Sequence, residues 1–289
     1  MPLPTCYLNG AYLPLAEARI SPLDRGFLFA DAVYEVVPVY SGRPFRLRQH
    51  LDRLARSLSE IRMNAPLTHA EWGDICRELV TRNGGGDQYL YLQVTRGAEF
   101  GRNHAWPEGL SPTVFGYANA LEAPSPAMIE DGVSAVTTTD TRWARRDIKS
   151  TALLANVLLK KLAADAGAFE TIMLERGELT EGSSTTVHVV SRGEIRTPPN
   201  GQRILPGTTR EVVSELALRI GIISRSARIT EIELRAADEI WLAFSTRGIV
   251  PVTRLDDSPV GGGKPGPLFR SMHKAFADHL RELAGTPAL

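Results

Sequence analysis

Apolar residues recur at three- and four-residue steps in FRLRQHLDRLARSLSEIRM, where Leu47, Leu51, Leu54, Leu58 and Ile61 fall on one side. This spacing predicts an amphipathic helix, with His50 and Arg53 on its other face. The stretch AVYEVVPVY (32–40) is β-branched and aromatic and ends at Ser41-Gly42, so it predicts a strand. Period-two alternation puts Tyr34, Val36 and Pro38 on one face of it. Pro38 also lacks a ladder donor, which predicts an edge or a bulge. A second strand is expected in DQYLYLQVTRG (87–97), after the turn at Gly84-Gly85-Gly86.

The pattern gives way to alanine, proline and serine in ANALEAPSPAM (118–128). This marks a boundary between a small N-terminal domain (1–118) and a larger C-terminal one (126–289), with 119–125 as linker. Beyond it come a strand in GVSAVTT, a helix from about 151 to 166, and short strands in ETIMLE, TTVHVV and GEIRT. Turns at Arg176-Gly177 and Arg192-Gly193 join those strands. A further helix is expected in TTREVVSELALRI, where Thr208 and Glu211 fit a capping box, and a last one from Pro267 to Gly285. Strands and helices do not alternate regularly, so the fold class is α+β.

Composition narrows the function classes. The 289 residues, 43% hydrophobic, suffice for two buried cores. A formal net charge of +0 and a pI near 7.0 argue against nucleic acid or an anionic membrane as partner and favour a small molecule. With Cys6 and Cys76 far apart and no apolar run long enough to cross a bilayer, a cytoplasmic protein without disulfides is expected. The six histidines have no metal-site spacing, so no metal is expected.

Positive charge is carried by arginine everywhere before Lys149, the first lysine of the chain. Of the other four, Lys160, Lys161, Lys264 and Lys274 read as solvated. Lys149 follows Asp147-Ile148 and precedes an apolar helix, where partial burial and the nearby Arg145 and Arg146 favour a neutral, nucleophilic amine. An aldehyde cofactor held on such an amine needs a phosphate site, an acid or base at its ring nitrogen, and a wall beside the ring. ILPGTTR opens a helix with Gly207, Thr208 and Thr209, which suits a phosphate, and Arg53 offers a forked cation. An ordinary capped helix start and a solvated arginine are the bland readings of the same residues. Glu181, in LTEGSSTTV, is either the carboxylate at the ring nitrogen or a turn acid facing water.

The segments DRGFLFADAVYEVV, HLDRL, DIKS, LTEGSSTTV and ILPGTTREV, in this order from residue 24 to 212, together resemble the branched-chain and D-amino-acid aminotransferase family, the fold type IV pyridoxal phosphate enzymes. The resemblance implies a small N-terminal α/β domain and a larger, β-barrel-like C-terminal domain. It implies that Lys149 holds pyridoxal 5'-phosphate as an imine and shuttles the substrate proton. It also implies that Glu181 faces the pyridine nitrogen, Leu205 packs on the ring, and Arg53, Thr208, Thr209 and Ser245 hold the phosphate. Phe244 stands where the family has a hydroxyl, so Thr246 is a second candidate in that loop.

Within the family, Arg102 and His104 in RGAEFGRNHAWPE match the Arg-x-His carboxylate trap of the D-amino-acid transaminases, with Tyr34 as its tyrosine and Val36 in the side-chain pocket. Pro38, on the same strand face, is expected to reshape that pocket. The implied reaction is ping-pong transfer of an amino group from D-amino acids to 2-oxo acids by a homodimer, each subunit lending this loop to its neighbour. The alternatives are a branched-chain L-enzyme, an (R)-amine transaminase, a 4-amino-4-deoxychorismate lyase and, outside enzymes, a phosphate-binding module. The chain has no GxSxG, no HExxH, and no Ser or Thr after Lys264 as a P-loop requires.

Overall fold

The computed structural model describes residues 2–285, which form two compact units. The first runs through Glu122 and takes in Ile148–Leu153; the second comprises Ala123–Asp147 and Leu154–Gly285. Lys149 therefore belongs to a short segment of the first unit, embedded in the sequence of the second.

In the first unit the order is β1 (Pro2–Leu8), β2 (Ala11–Pro14), α1 (Arg25–Phe29), β3 (Ala32–Tyr40), β4 (Arg43–Pro44), α2 (Leu47–Glu60), α3 (His69–Arg82), β5 (Gln88–Thr95) and β6 (Thr113–Ala120). The strands form one antiparallel sheet, β2-β1-β6-β5-β3-β4. Helices α2 and α3 bury Leu51, Leu54, Leu58, Trp72, Ile75 and Leu79 with the Val33, Val37 and Val39 row of β3. Each such side chain contributes about 1.5–3 kcal/mol. Thr68 caps α3 with a complete capping box to Glu71. Along β3 the even-numbered N–H groups face away from β5, since that of Tyr34 donates to the Lys149 carbonyl. The donor that Pro38 lacks would thus have pointed toward the two-residue β4, at the sheet edge, where its loss is tolerated.

The second unit contains α4 (Pro126–Glu130), β7 (Val133–Thr139), α5 (Leu154–Asp165), β8 (Glu170–Glu175), β9 (Glu178–Gly182), β10 (Thr186–Ser191), β11 (Glu194–Thr197), α6 (Thr208–Arg219), β12 (Ser224–Ser226), α7 (Glu231–Arg235), β13 (Glu239–Phe244), β14 (Gly248–Leu255), β15 (Ser258–Pro259) and α8 (Pro267–Gly285). Its mixed sheet runs β12-β11-β10-β13-β14-β7-β8-β9, with β15 on β14. The connections dictate its curvature. β9 and β10 lie five places apart in that order, about 24 Å in a flat sheet, yet the steps from Gly182 to Thr186 span at most about 14 Å. The sheet therefore curls into a half-barrel around Ile172, Val187, Val189, Leu242 and Val250.

Both Arg-Gly turns have two consecutive positive φ angles, 53° and 75° at 176–177 and 51° and 78° at 192–193. That conformation matches strand twist in a tight hairpin. The helix expected from 151 begins only at Leu154, because the Thr151 N–H is drawn to the Ala32 carbonyl on β3 at 3.0 Å.

A buried histidine couples this half-barrel to pH. His188 of β10 is 0% exposed and its Nδ1 meets Thr197 Oγ1 at 2.6 Å. Burial pulls its pKa from 6.5 to about 3. The unfolded chain binds this proton more tightly, so the stability due to His188 is complete above pH 6.5 and lost progressively as pH falls toward 3. Between pH 7 and pH 5 the loss from this residue should be about 2 kcal/mol. Urea titrations of wild type and His188→Gln at both pH values check it: the variant should lose about that much less on acidification, and equal losses would contradict it.

Candidate active site

In the first unit the segment around Lys149 lies along β3 as an added backbone partner. The Lys149 carbonyl accepts from Tyr34 N–H at 3.0 Å, its N–H donates to Ser57 Oγ of α2 at 3.3 Å, and Ser150 bridges Val33. The backbone of this lysine is thus fixed by a strand and a helix. Its half-buried side chain puts Nζ 4.3 Å from the centroid of the Tyr34 ring, a cation–π distance. Tyr34 in turn stacks on Tyr91 at 5.5 Å. Val36 shares this half-buried face of β3. The other four lysines are exposed, as their positions in the sequence suggest.

The opposite face of β3 holds Glu35, 0% exposed in a row of valines. Arg53 Nε donates to Oε1 at 2.6 Å, Arg53 Nη2 to Oε2 at 2.8 Å, and His50 Nδ1 to Oε2 at 2.7 Å. The reading of Arg53 as solvated is overturned, because α2 turns its polar side onto this carboxylate. Burial pushes the Glu35 pKa up, but Arg53 and His50 outweigh it and leave the group well below the usual carboxylate range. Burial lowers the pKa of His50 against the pull of Glu35, so a neutral imidazole completes the cluster. Glu35 escaped the sequence reading, although a glutamate in register with Val33, Val37 and Val39 is a detectable signal for a buried partner.

Arg102 and His104 lie on an exposed loop, where the ring of Phe29 is 5.0 Å from the Arg102 guanidinium carbon and 5.4 Å from the His104 ring. Their ring contacts are to Phe29, whereas those of Tyr34 are to Tyr91 and Lys149.

The second unit gathers the remaining candidates. Glu181 is on β9 and is buried, so of its two readings the turn acid facing water is excluded. Its Oε1 accepts from Arg142 Nη1 at 2.5 Å and its Oε2 from the Leu205 N–H at 3.2 Å. Arg142 is itself clamped by Asp140 at 2.7 and 3.0 Å, and Thr180 donates to Asp140 at 2.8 Å. Burial raises the proton affinity of Glu181, and Arg142 offsets this only in part.

Helix α6 starts at Thr208, with Gly207 as a cap that supplies no side-chain bond. The expected capping box is therefore absent: Thr208 is the first helical residue and cannot reach back to cap. Its buried Oγ1 has no hydrogen-bond partner among the described residues. A Cβ at Gly207 would come within 2.6 Å of Thr186 Oγ1, so glycine lets this helix start pack against Thr186. Thr209 Oγ1 donates to the Phe244 carbonyl at 3.0 Å, joining the helix start to the turn that carries Ser245 and Thr246. Phe244 turns its ring to Phe169 at 5.8 Å, so only its backbone serves this corner.

Taken unit by unit, the chemistry is that which a phosphorylated pyridoxal needs: in the second unit an orphaned hydroxyl and uncapped N–H groups suit a phosphate and a buried carboxylate suits a ring nitrogen, and in the first unit an anchored amine suits an aldehyde. Among the described residues no cluster of His, Cys, Asp and Glu is arranged to hold a metal, and no helix is long and apolar enough to cross a membrane.

The sequence profile described as "Amino-transferase class IV" matches residues 32–255. The D-alanine aminotransferase of Bacillus licheniformis is 39% identical over 272 residues, 94% of this chain and 95% of the relative. That of Listeria monocytogenes serotype 1/2a (strain 10403S) is 34% identical, covering 96% of each chain. Among solved structures, a branched-chain amino acid aminotransferase of Escherichia coli superposes with a TM-score of 0.89 at 25% identity, covering 96% of this chain and 94% of the other. The fold is that of the fold type IV aminotransferases, and the chain belongs to the class IV amino-transferase family.

Proposed function

We propose that this protein is a pyridoxal 5'-phosphate-dependent transaminase of the cytoplasm that moves the amino group of D-amino acids such as D-alanine or D-glutamate to 2-oxoglutarate or pyruvate. The observation that carries the reading is the Lys149 amine, backbone-anchored on β3 and set over the Tyr34 ring at 4.3 Å. The names of the relatives, D-alanine aminotransferases 34–39% identical over nearly the whole chain, favour the D-enantiomer.

The second unit would supply the phosphate site through Thr208, Thr209, Ser245 and Thr246, the partner of the ring nitrogen through Glu181, and a packing surface through Leu205. Arg53 of the first unit would add to the phosphate site while remaining paired with Glu35. Bound pyridoxal 5'-phosphate supplies an aldehyde for amino exchange and a ring that takes up the charge left at the substrate α-carbon. Lys149 Nζ would carry the proton between the substrate α-carbon and the aldehyde carbon of the cofactor. The Tyr34 ring, 4.3 Å from Nζ, would hold the lysine side chain in place beside the substrate. Glu181, whose proton affinity burial raises, would share a proton with the ring nitrogen, and Arg142 would keep its carboxylate aimed.

Arg102, His104 and Tyr34 would bind the substrate carboxylate, the loop being lent by the partner in a homodimer, and Val36 would line the side-chain pocket. Fixing the carboxylate decides which hydrogen faces Lys149 and hence the enantiomer. With 2-oxoglutarate as acceptor, D-alanine should turn over at least about tenfold faster than L-leucine, a difference of about 1.4 kcal/mol. Faster turnover of L-leucine would move the chain to the branched-chain side of the family.

A further inference from the structure

The loop bearing Arg102 and His104 is exposed, but the structure beneath it is closely built. Arg25, 3% exposed on α1, donates from Nε to Asp31 at 2.9 Å. Its Nη1 pairs with Glu99 and donates to the Asn103 carbonyl at 2.6 Å, while Nη2 reaches the His104 carbonyl at 3.1 Å. One turn later on the same helix, the Phe29 ring lies 4.7 Å from the Arg25 guanidinium carbon and carries Arg102 and His104 on it.

The mount is wedged against the sheet. Asp24 caps α1 through Gly26 N–H at 2.7 Å and accepts from Thr95 and Thr113 hydroxyls at 3.0 and 2.6 Å. A Cβ at Gly26 would meet Thr95 Cγ2 at 2.5 Å. Asp31 also binds Arg96 at 2.7 and 3.0 Å, and the Arg96 guanidinium covers the Trp106 ring at 4.0 Å. The loop is therefore tied at Glu99, at Asn103 and His104, and at Trp106.

We propose that Arg25 and Phe29 are positioning residues for substrate carboxylate recognition, presetting the backbone on which Arg102 and His104 project. This rests on the reading of Arg102 and His104 as the carboxylate clasp. Without this mount the loop would have to be ordered by the neighbouring subunit or by each substrate, weakening binding without altering the chemistry. The planar fork of Arg25 satisfies two carboxylates and two carbonyls at once, which a lysine cannot do.

The test uses cofactor-loaded enzyme carrying Arg25→Gln, Arg25→Lys, Glu99→Gln or Phe29→Leu, with Arg102→Ala as reference. Steady-state kinetics with D-alanine and 2-oxoglutarate and hydrogen exchange across residues 97–110 are measured. The Arg25 variants should raise the KM for D-alanine on the order of tenfold, keep kcat within about threefold, and speed exchange in the loop. Arg25→Lys should not rescue. Should Arg25→Gln fail to fold, Glu99→Gln and Phe29→Leu decide by the same pattern at smaller amplitude. A fall in kcat at constant KM, or unchanged KM and unchanged exchange, overturns the proposal. If Arg102→Ala raises KM while these variants behave as wild type, the mount is wrong and the clasp stands; if Arg102→Ala leaves KM unchanged, the clasp itself falls.

Discussion

Replacing Lys149 by alanine should lower the transamination rate by about 10⁴-fold or more, roughly 5 kcal/mol of barrier, while leaving the protein folded. The side chain is half-buried, and the ties that fix this segment run through its backbone carbonyl and N–H, which alanine retains. The variant should still take up pyridoxal 5'-phosphate, because Thr208, Thr209 and Glu181 do not depend on the lysine for their positions. Borohydride should fix the cofactor on the wild-type peptide containing Lys149 and on no peptide of the variant. Lys160→Ala and Lys161→Ala, at exposed helical sites, should leave the rate within about twofold. A Lys149→Ala enzyme that keeps more than about 1% of the activity would remove the amine from the chemistry.

Lys149 was legible because scarcity makes it conspicuous: in a chain that uses arginine elsewhere, one lysine between an Asp-Ile pair and an apolar helix asks for a reason. The elements that carry the other candidates were legible too. β-Branched and aromatic content predicted β3, the 3.6-residue period predicted α2, and a leading proline and a trailing glycine predicted α8, because these are local properties of the chain. Partnerships between distant elements were not. Nothing local links Glu35 to Arg53 and His50, or Arg142 to Glu181, since an ion pair leaves no period in the sequence. The misreading of Thr208 has the same root. A Thr-x-x-Glu spacing predicts a capping box, but the helix was set one residue earlier by Gly207, whose missing Cβ makes room for Thr186. Likewise, the helix expected from about 151 starts only at Leu154, because the Thr151 N–H bonds to the Ala32 carbonyl of β3.

Arg53→Met should be the most destabilising single change among the charged residues of the first unit, costing about 3–5 kcal/mol at pH 7. It would leave the Glu35 carboxylate, 0% exposed, with the neutral His50 as its main partner. The Glu35 pKa is depressed in the folded wild type, so its contribution is fully present above the ordinary carboxylate pKa of 4.5 and is lost as pH falls through the lowered value. Without Arg53 the desolvated carboxylate takes up a proton at higher pH than in wild type, so the deficit of the variant should shrink between pH 7 and pH 4. Removing both charges, in Glu35→Gln with Arg53→Met, should recover most of the loss, because the penalty is that of an unpaired buried charge. Urea unfolding of the three proteins at both pH values measures this; a double variant no more stable than Arg53→Met would refute it. The same double variant separates the two roles assigned to Arg53. If Arg53 also holds the cofactor phosphate, the recovered protein should bind pyridoxal 5'-phosphate about tenfold more weakly than wild type, the loss of one charge-assisted bond. An unchanged affinity would confine Arg53 to the ion pair and leave the phosphate to Thr208, Thr209 and the turn at 245–246.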